Sequence, residues 1–91
     1  MLTIKRTAQF KKDFKRLIKQ GVDIQPLMEV IEKLSREEPP DEKFRGHPLK
    51  GDRLGFRECH IKPDWLLIYL VNKGELILTL SRTGSHSDLF D

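Results

Sequence analysis

Only one cysteine, Cys59, occurs in this chain of 91 residues. That excludes an internal disulfide and fits a reducing compartment. No apolar run is long enough to cross a bilayer, and the opening M-L-T-I-K-R-T lacks the apolar stretch of a signal peptide. A cytoplasmic protein with no membrane partner is therefore expected. The sequence has no G-x-x-x-x-G-K-[ST] or G-x-G-x-x-G loop to cradle nucleotide phosphates, and no Ser-His-Asp or Cys-His nucleophile. It also lacks the short Cys or His pairs of structural zinc sites, because its three histidines stand 13 and 26 positions apart. Neither metal nor cofactor is expected, and Cys59 reads most simply as a small inward-facing apolar residue. Repeats, low-complexity stretches and linkers are also missing, so residues 1–91 read as one domain with one modest core.

Acidic residues are nearly absent from the first 22 positions. Lys5, Arg6, Lys11, Lys12, Lys15, Arg16 and Lys19 face a single acid there, Asp13, whereas residues 47–91 are neutral. A charge run of this kind is either a solvated helix face or a surface for a phosphate backbone, such as ribosomal RNA.

The pattern of apolar residues gives the elements. Residues 2–6 alternate as a short strand, and Thr7 can cap a helix from Ala8 to about Gln20. At about 100° per residue, Phe10, Phe14 and Leu17 share one side, with Lys12, Lys15, Arg16 and Lys19 opposite. Gly21 suits the left-handed conformation that ends such a helix. Asp23 is placed to cap a second helix, where Pro26 is tolerated in the first turn and Leu27, Met28, Val30, Ile31 and Leu34 share an apolar arc. After a Pro-rich loop the period changes to strands, over 55–61, Trp65–Val71 and Glu75–Ser81. Trp65–Val71 is apolar on both faces and reads as central, and Asn72-Lys73-Gly74 reads as a hairpin turn. The expected fold is α+β, β-α-α-β-β-β. A helical hairpin would cover one face of a small antiparallel sheet and leave the other face open.

What the second half does contain is all three histidines, each at a bend with polar neighbours: G-H-P-L-K-G, R-E-C-H-I-K-P-D-W and R-T-G-S-H-S-D-L-F. Imidazole takes and gives a proton near neutral pH. Alternation puts His60 on the open face, Asp64 and Trp65 at the next hairpin, and His86 just beyond the last strand. His47 precedes the first strand of the meander. All of them can meet at one rim. Each also has a plainer reading: His60 as an exposed strand residue, Asp64 as a turn former, Trp65 as core, His47 as a loop residue. Together they supply what RNA cleavage through its own 2′-hydroxyl needs, namely a base, an acid and a cation.

These segments closely resemble YafQ-type toxins of the RelE/ParE superfamily of type II toxin–antitoxin systems. The resemblance is specific from about Phe44 onward and rests on pattern alone in the first half. It implies a toxin that enters the ribosomal A site and cuts mRNA, with His47, His60, Asp64 and His86 in catalytic positions and Trp65 and Phe90 as further site residues. His86 is the expected general acid, and His60 or Asp64 the base. His47 and Arg82 would support the phosphorane, and Lys12, Lys15, Arg16 and Lys19 would contact RNA. A cognate antitoxin is implied, in a heterotetramer through which alone operator DNA would be bound. A ParE-like gyrase inhibitor on the same scaffold is the alternative. It would have no use for three histidines and Asp64.

Overall fold

The computed structural model describes residues 1–37, 46–48 and 56–90, with the backbone alone at 46–48 and at Phe90. Its elements are β1 (Thr3–Arg6), α1 (Ala8–Lys19), α2 (Gln25–Ser35), β2 (Gly46–Pro48), β3 (Arg57–Lys62), β4 (Trp65–Asn72), β5 (Ile77–Gly84) and α3 (His86–Phe90). The sheet runs in the order β1-β5-β4-β3-β2.

Local chemistry explains the helical hairpin. Thr7 Oγ1 accepts the Phe10 N–H at 3.0 Å and donates to the Ser81 carbonyl at 2.7 Å, so one hydroxyl caps α1 and pins it to β5. Such a cap is typically worth about 1 kcal/mol. At the other end Gly21 has φ +75°. Its N–H bonds to Ile18 O, and that of Val22 to Leu17 O, which closes the helix in the paired pattern of a Schellman motif. Asp23 accepts the Gln25 N–H at 3.0 Å. It lies one residue outside the cap position of α2, which Ile24 occupies.

Both helices pack on one face of the sheet, where Phe10, Leu17, Leu27, Val30 and Ile31 meet Cys59, Leu67, Tyr69 and Leu80. β4 is central as expected, with Leu66, Leu67 and Ile68 wholly buried.

Besides the added strand β2, which takes up His47 where the sequence reads a loop ahead of the meander, four features differ from the sequence reading. The sheet is mixed, because β1 lies parallel to β5 (Thr3 opposite Ile77, Arg6 opposite Leu80). Pairing across more than seventy residues leaves no local mark. Second, the turn between β4 and β5 is longer than Asn72-Lys73-Gly74, and its left-handed residue is Leu76 at φ +57°. Third, β5 continues to Gly84 because Ser81 forms a bulge: Leu80 pairs with Tyr69 and Arg82 with Ile68. The extra residue shifts the alternation, so Thr83 is buried again. Fourth, the second face is partly covered. Leu89 of α3 packs on Leu66 and Ile68, with Phe56 beside them.

Candidate functional site

The site lies where β3, the Pro63-Asp64 turn and the start of α3 meet. His60 and Glu58 alternate on β3 with Cys59, which is wholly buried under the helices. His60 Nε2 is 3.0 Å from Glu58 Oε1, and Glu58 is 7% exposed. His86 opens α3, where its Nδ1 lies 3.3 Å from Asp64 Oδ1 and its backbone N–H donates to the same oxygen at 3.4 Å. The two imidazoles meet edge to face, with ring centroids 5.9 Å apart. The result is a continuous row, Glu58–His60–His86–Asp64, half of it sheltered and half solvated.

The start of α3 is held by Asp88. Its carboxylate accepts the Ser85 N–H at 3.1 Å, while Ser85 Oγ accepts the Asp88 N–H at 3.1 Å. These bonds, with Arg16 and Arg82 nearby, hold the Asp88 carboxyl below its ordinary range. Arg16 Nη2 stands 3.5 Å from Asp88 and 3.4 Å from Asp13, linking α1 to α3. At Gly84, φ is +153°, which strains residues other than glycine, and a Cβ would press on Arg16 Nη2 and the Asp88 side chain at 3.1 Å.

The remaining sequence candidates are placed differently. Arg82 is turned to α1, its Nε and Nη2 donating to the two oxygens of Asp13 at 3.0 and 3.1 Å. Asp13 chiefly accounts for the upward shift of that guanidinium's pKa. Trp65 is 8% exposed and its Nε1 donates to Thr83 Oγ1 at 2.9 Å. This placement favours core packing over base stacking for Trp65. Lys12, Lys15 and Lys19 lie on the exposed side of α1, but Arg16 is half-buried between two carboxylates. His47 is opposite Glu58 in the β2–β3 ladder. The side chains of His47 and Phe90 lie outside the described residues.

Two acidic residues of consequence, Glu58 and Asp13, were not among the sequence candidates. Glu58 shares the parity of His60 on β3. Asp13 has the i, i+3, i+4, i+7 spacing with Phe10, Phe14 and Leu17 that marks the buried stripe of α1.

A model of the family described as "Bacterial toxin of type II toxin-antitoxin system, YafQ" matches residues 2–91. The chain belongs to the YafQ family. The mRNA interferase toxin YafQ of Escherichia coli K12 is 34% identical over 88 residues, 96% of this chain and 94% of that protein. Among solved structures, a metal-bound toxin from Helicobacter pylori superposes with TM-score 0.93 at 50% identity, covering 99% of this chain and 100% of its own. YafQ in the Escherichia coli DinJ–YafQ toxin–antitoxin complex gives 0.89 at 33%, covering 99% and 98%. The YafQ match thus extends over both halves of the chain, including the first, where sequence resemblance lay in pattern alone.

Glu58, His60 and His86 each offer a ligand atom, all within 4.8 Å of one another. Two imidazoles and a carboxylate suit zinc or copper.

Proposed function

We propose that this YafQ-family toxin is a ribosome-dependent endoribonuclease that cuts mRNA in the A site by general acid–base catalysis. The observation that carries the reading is the pairing of two imidazoles 5.9 Å apart, each with its own carboxylate. In this reading the Glu58–His60 pair takes the proton of the ribose 2′-hydroxyl, with Glu58 stabilising the imidazolium across their 3.0 Å contact. The 2′-oxygen attacks the adjacent phosphorus. His86, oriented through Nδ1 by Asp64, gives a proton from Nε2 to the departing 5′-oxygen. A 2′,3′-cyclic phosphate and a 5′-hydroxyl result, and no cofactor is needed. His47 and Arg82 are assigned to the added negative charge of the phosphorane.

Asp64 is a weaker candidate for the base than His60, because its carboxylate is engaged with His86 and its side chain is 77% exposed. Lys12, Lys15 and Lys19 are assigned to ribosomal RNA, where binding should weaken with salt. The name of the K12 relative, an mRNA interferase toxin, supports the substrate.

A cognate antitoxin is proposed on the same footing, since YafQ of Escherichia coli forms a complex with DinJ. We assign to this chain a heterotetramer in which the antitoxin supplies the dimer and the operator contacts. No described helix is long and apolar enough to cross a membrane, and we assign the toxin to the cytoplasm.

Mapping transcript 5′ ends after induction tests the proposal. New 5′-hydroxyl ends within translated codons are expected, and they should vanish when ribosomes are removed. Intact transcripts alongside double-strand DNA breaks would replace it with gyrase inhibition.

A further inference from the structure

The most deeply buried charge among the described residues lies on α1, away from the histidines. Asp13 has no exposed surface. Its Oδ2 accepts from Arg82 Nε at 3.0 Å and from the Thr83 N–H at 3.2 Å. Its Oδ1 accepts from Arg82 Nη2 at 3.1 Å and from Gln9 Nε2 at 3.5 Å, with Arg16 Nη2 at 3.4 Å.

The topology explains why a carboxylate sits there. β1 ends opposite Leu80, so among the described residues no strand lies beside the outer edge of β5 beyond that point. The Thr83 N–H would lack a ladder partner, and Asp13 takes that place. Thr83 in turn receives the Trp65 indole N–H and donates to the Leu66 carbonyl at 2.8 Å. One carboxylate therefore fixes both the end of β5, which leads through Gly84 into His86, and the direction of Arg82.

The backbone of Arg82 shares a cross-strand row with Glu58, although its guanidinium reaches over to Asp13. Arg82 is opposite Ile68 on β4, and Ile68 is opposite Glu58 on β3, so Arg82 and Glu58 lie two strands apart, roughly 10 Å. A bidentate grip leaves a guanidinium one orientation.

We propose that Asp13 is a positioning residue for cleavage, acting through Arg82: its buried carboxylate holds the guanidinium and the end of β5 in register with His60 and His86. This rests on the assignment of Arg82 to the phosphorane's charge. The Arg16–Asp13 contact belongs to the same cluster, and through Asp88 it reaches the first turn of α3.

The test is a double-mutant cycle with Asp13→Asn, Arg82→Gln and the double variant. Each is purified through its antitoxin complex and assayed on programmed ribosomes, with thermal unfolding confirming the folded fraction. Arg82→Gln should lower kcat on the order of 10²-fold. Asp13→Asn should lower kcat on the order of 10–10²-fold with KM within about twofold, as small misplacements do. The double variant should be no slower than Arg82→Gln alone.

Should Asp13→Asn not fold, Arg82→Gln against the double variant still decides, because the double change leaves no uncompensated guanidinium at that position. A further loss in the double variant, or a wild-type kcat in Asp13→Asn, overturns the proposal while leaving the nuclease reading intact. Wild-type kcat in Arg82→Gln removes the role of Arg82 and this inference with it. Absence of cleavage by the unmodified toxin instead defeats the nuclease reading itself.

Discussion

His86 meets Asp64 twice: its ring Nδ1 lies 3.3 Å from Asp64 Oδ1, and its backbone N–H donates to that same oxygen at 3.4 Å. Asp64 thus sets both the ring and the first turn of α3. We expect His86→Ala to lose about 10²–10⁴-fold in cleavage rate, the usual effect of removing a proton-transfer group. Both side chains are largely solvent-exposed, so the melting temperature should barely move. Asp64→Asn should lose less, because an amide oxygen can still accept from the imidazole. Primer-extension rates beside thermal unfolding curves check both. A fully toxic His86→Ala would remove the acid assignment.

Glu58 and His60 pose a separate question, because the atoms proposed to move a proton can also bind a cation. Together with His86 they bring three donors within 4.8 Å. If proton transfer is their role, added Zn²⁺ or Cu²⁺ should inhibit cleavage in a saturable way, and chelation should leave the rate unchanged or raise it. Glu58→Gln should weaken inhibition and also lower kcat on the order of 10²-fold. Activity that rises with metal and disappears with chelator would refute the acid–base scheme.

Much of the fold and site was legible from sequence because it is local. Thr7, Gly21 and the apolar W-L-L-I-Y-L-V carry their structural roles in their own chemistry, and Pro63-Asp64 marks the hairpin bend, whereas Thr83-Gly84, which reads as the break before His86, belongs to the end of β5. Glu58 did not stand out, since a glutamate on a strand's second face looks the same whether solvated or covered, and α3 covers part of that face. Asp13 was masked by the lysines around it, although its spacing from Phe10 and Leu17 pointed inward. The parallel β1–β5 pair and the Ser81 bulge depend on pairing between distant segments. They govern where Arg82 points, which is why Arg82 was assigned to the site without its partner.

Cys59 offers a test of the core. It is wholly buried on the helix side of β3, and burial pushes its thiol up to about 11. The thiolate is the reactive form. Alkylation by iodoacetamide at pH 8 should therefore be negligible in native toxin and rapid in denaturant. Labelling at the same rate in both would mean that β3 does not lie under α1 and α2.

Asp88 gives a pH dependence whose sign is fixed. Its folded pKa is lowered from 3.8, chiefly by the Ser85 N–H, so its stabilising contribution is present above that value and is lost as pH falls through the folded pKa. The side chain is 40% exposed, so solvent screening keeps the effect small. Asp88→Asn should lower the melting temperature slightly near pH 7, and the difference from wild type should shrink as the pH falls below 3.8 and through the lowered folded pKa. A difference that grows on acidification would contradict the capping role.

The exposed side of α1 carries the last expectation. Lys12, Lys15 and Lys19 are solvent-facing, whereas Arg16 is occupied by Asp13 and Asp88. The two groups should therefore separate experimentally. Replacing the three lysines with Gln should raise the KM for ribosomes and flatten the dependence of binding on salt, the logarithmic slope falling by about one for each phosphate left without its lysine. The kcat should hold, because none of these side chains touches the histidine row. Arg16→Gln should do the reverse, leaving the salt slope alone while loosening the junction between α1 and α3. Sedimentation binding at several salt concentrations, with single-turnover cleavage, distinguishes them. An unchanged salt slope in the triple lysine variant would show that the basic face is only solvated, and ribosome contact would have to be sought elsewhere on the toxin.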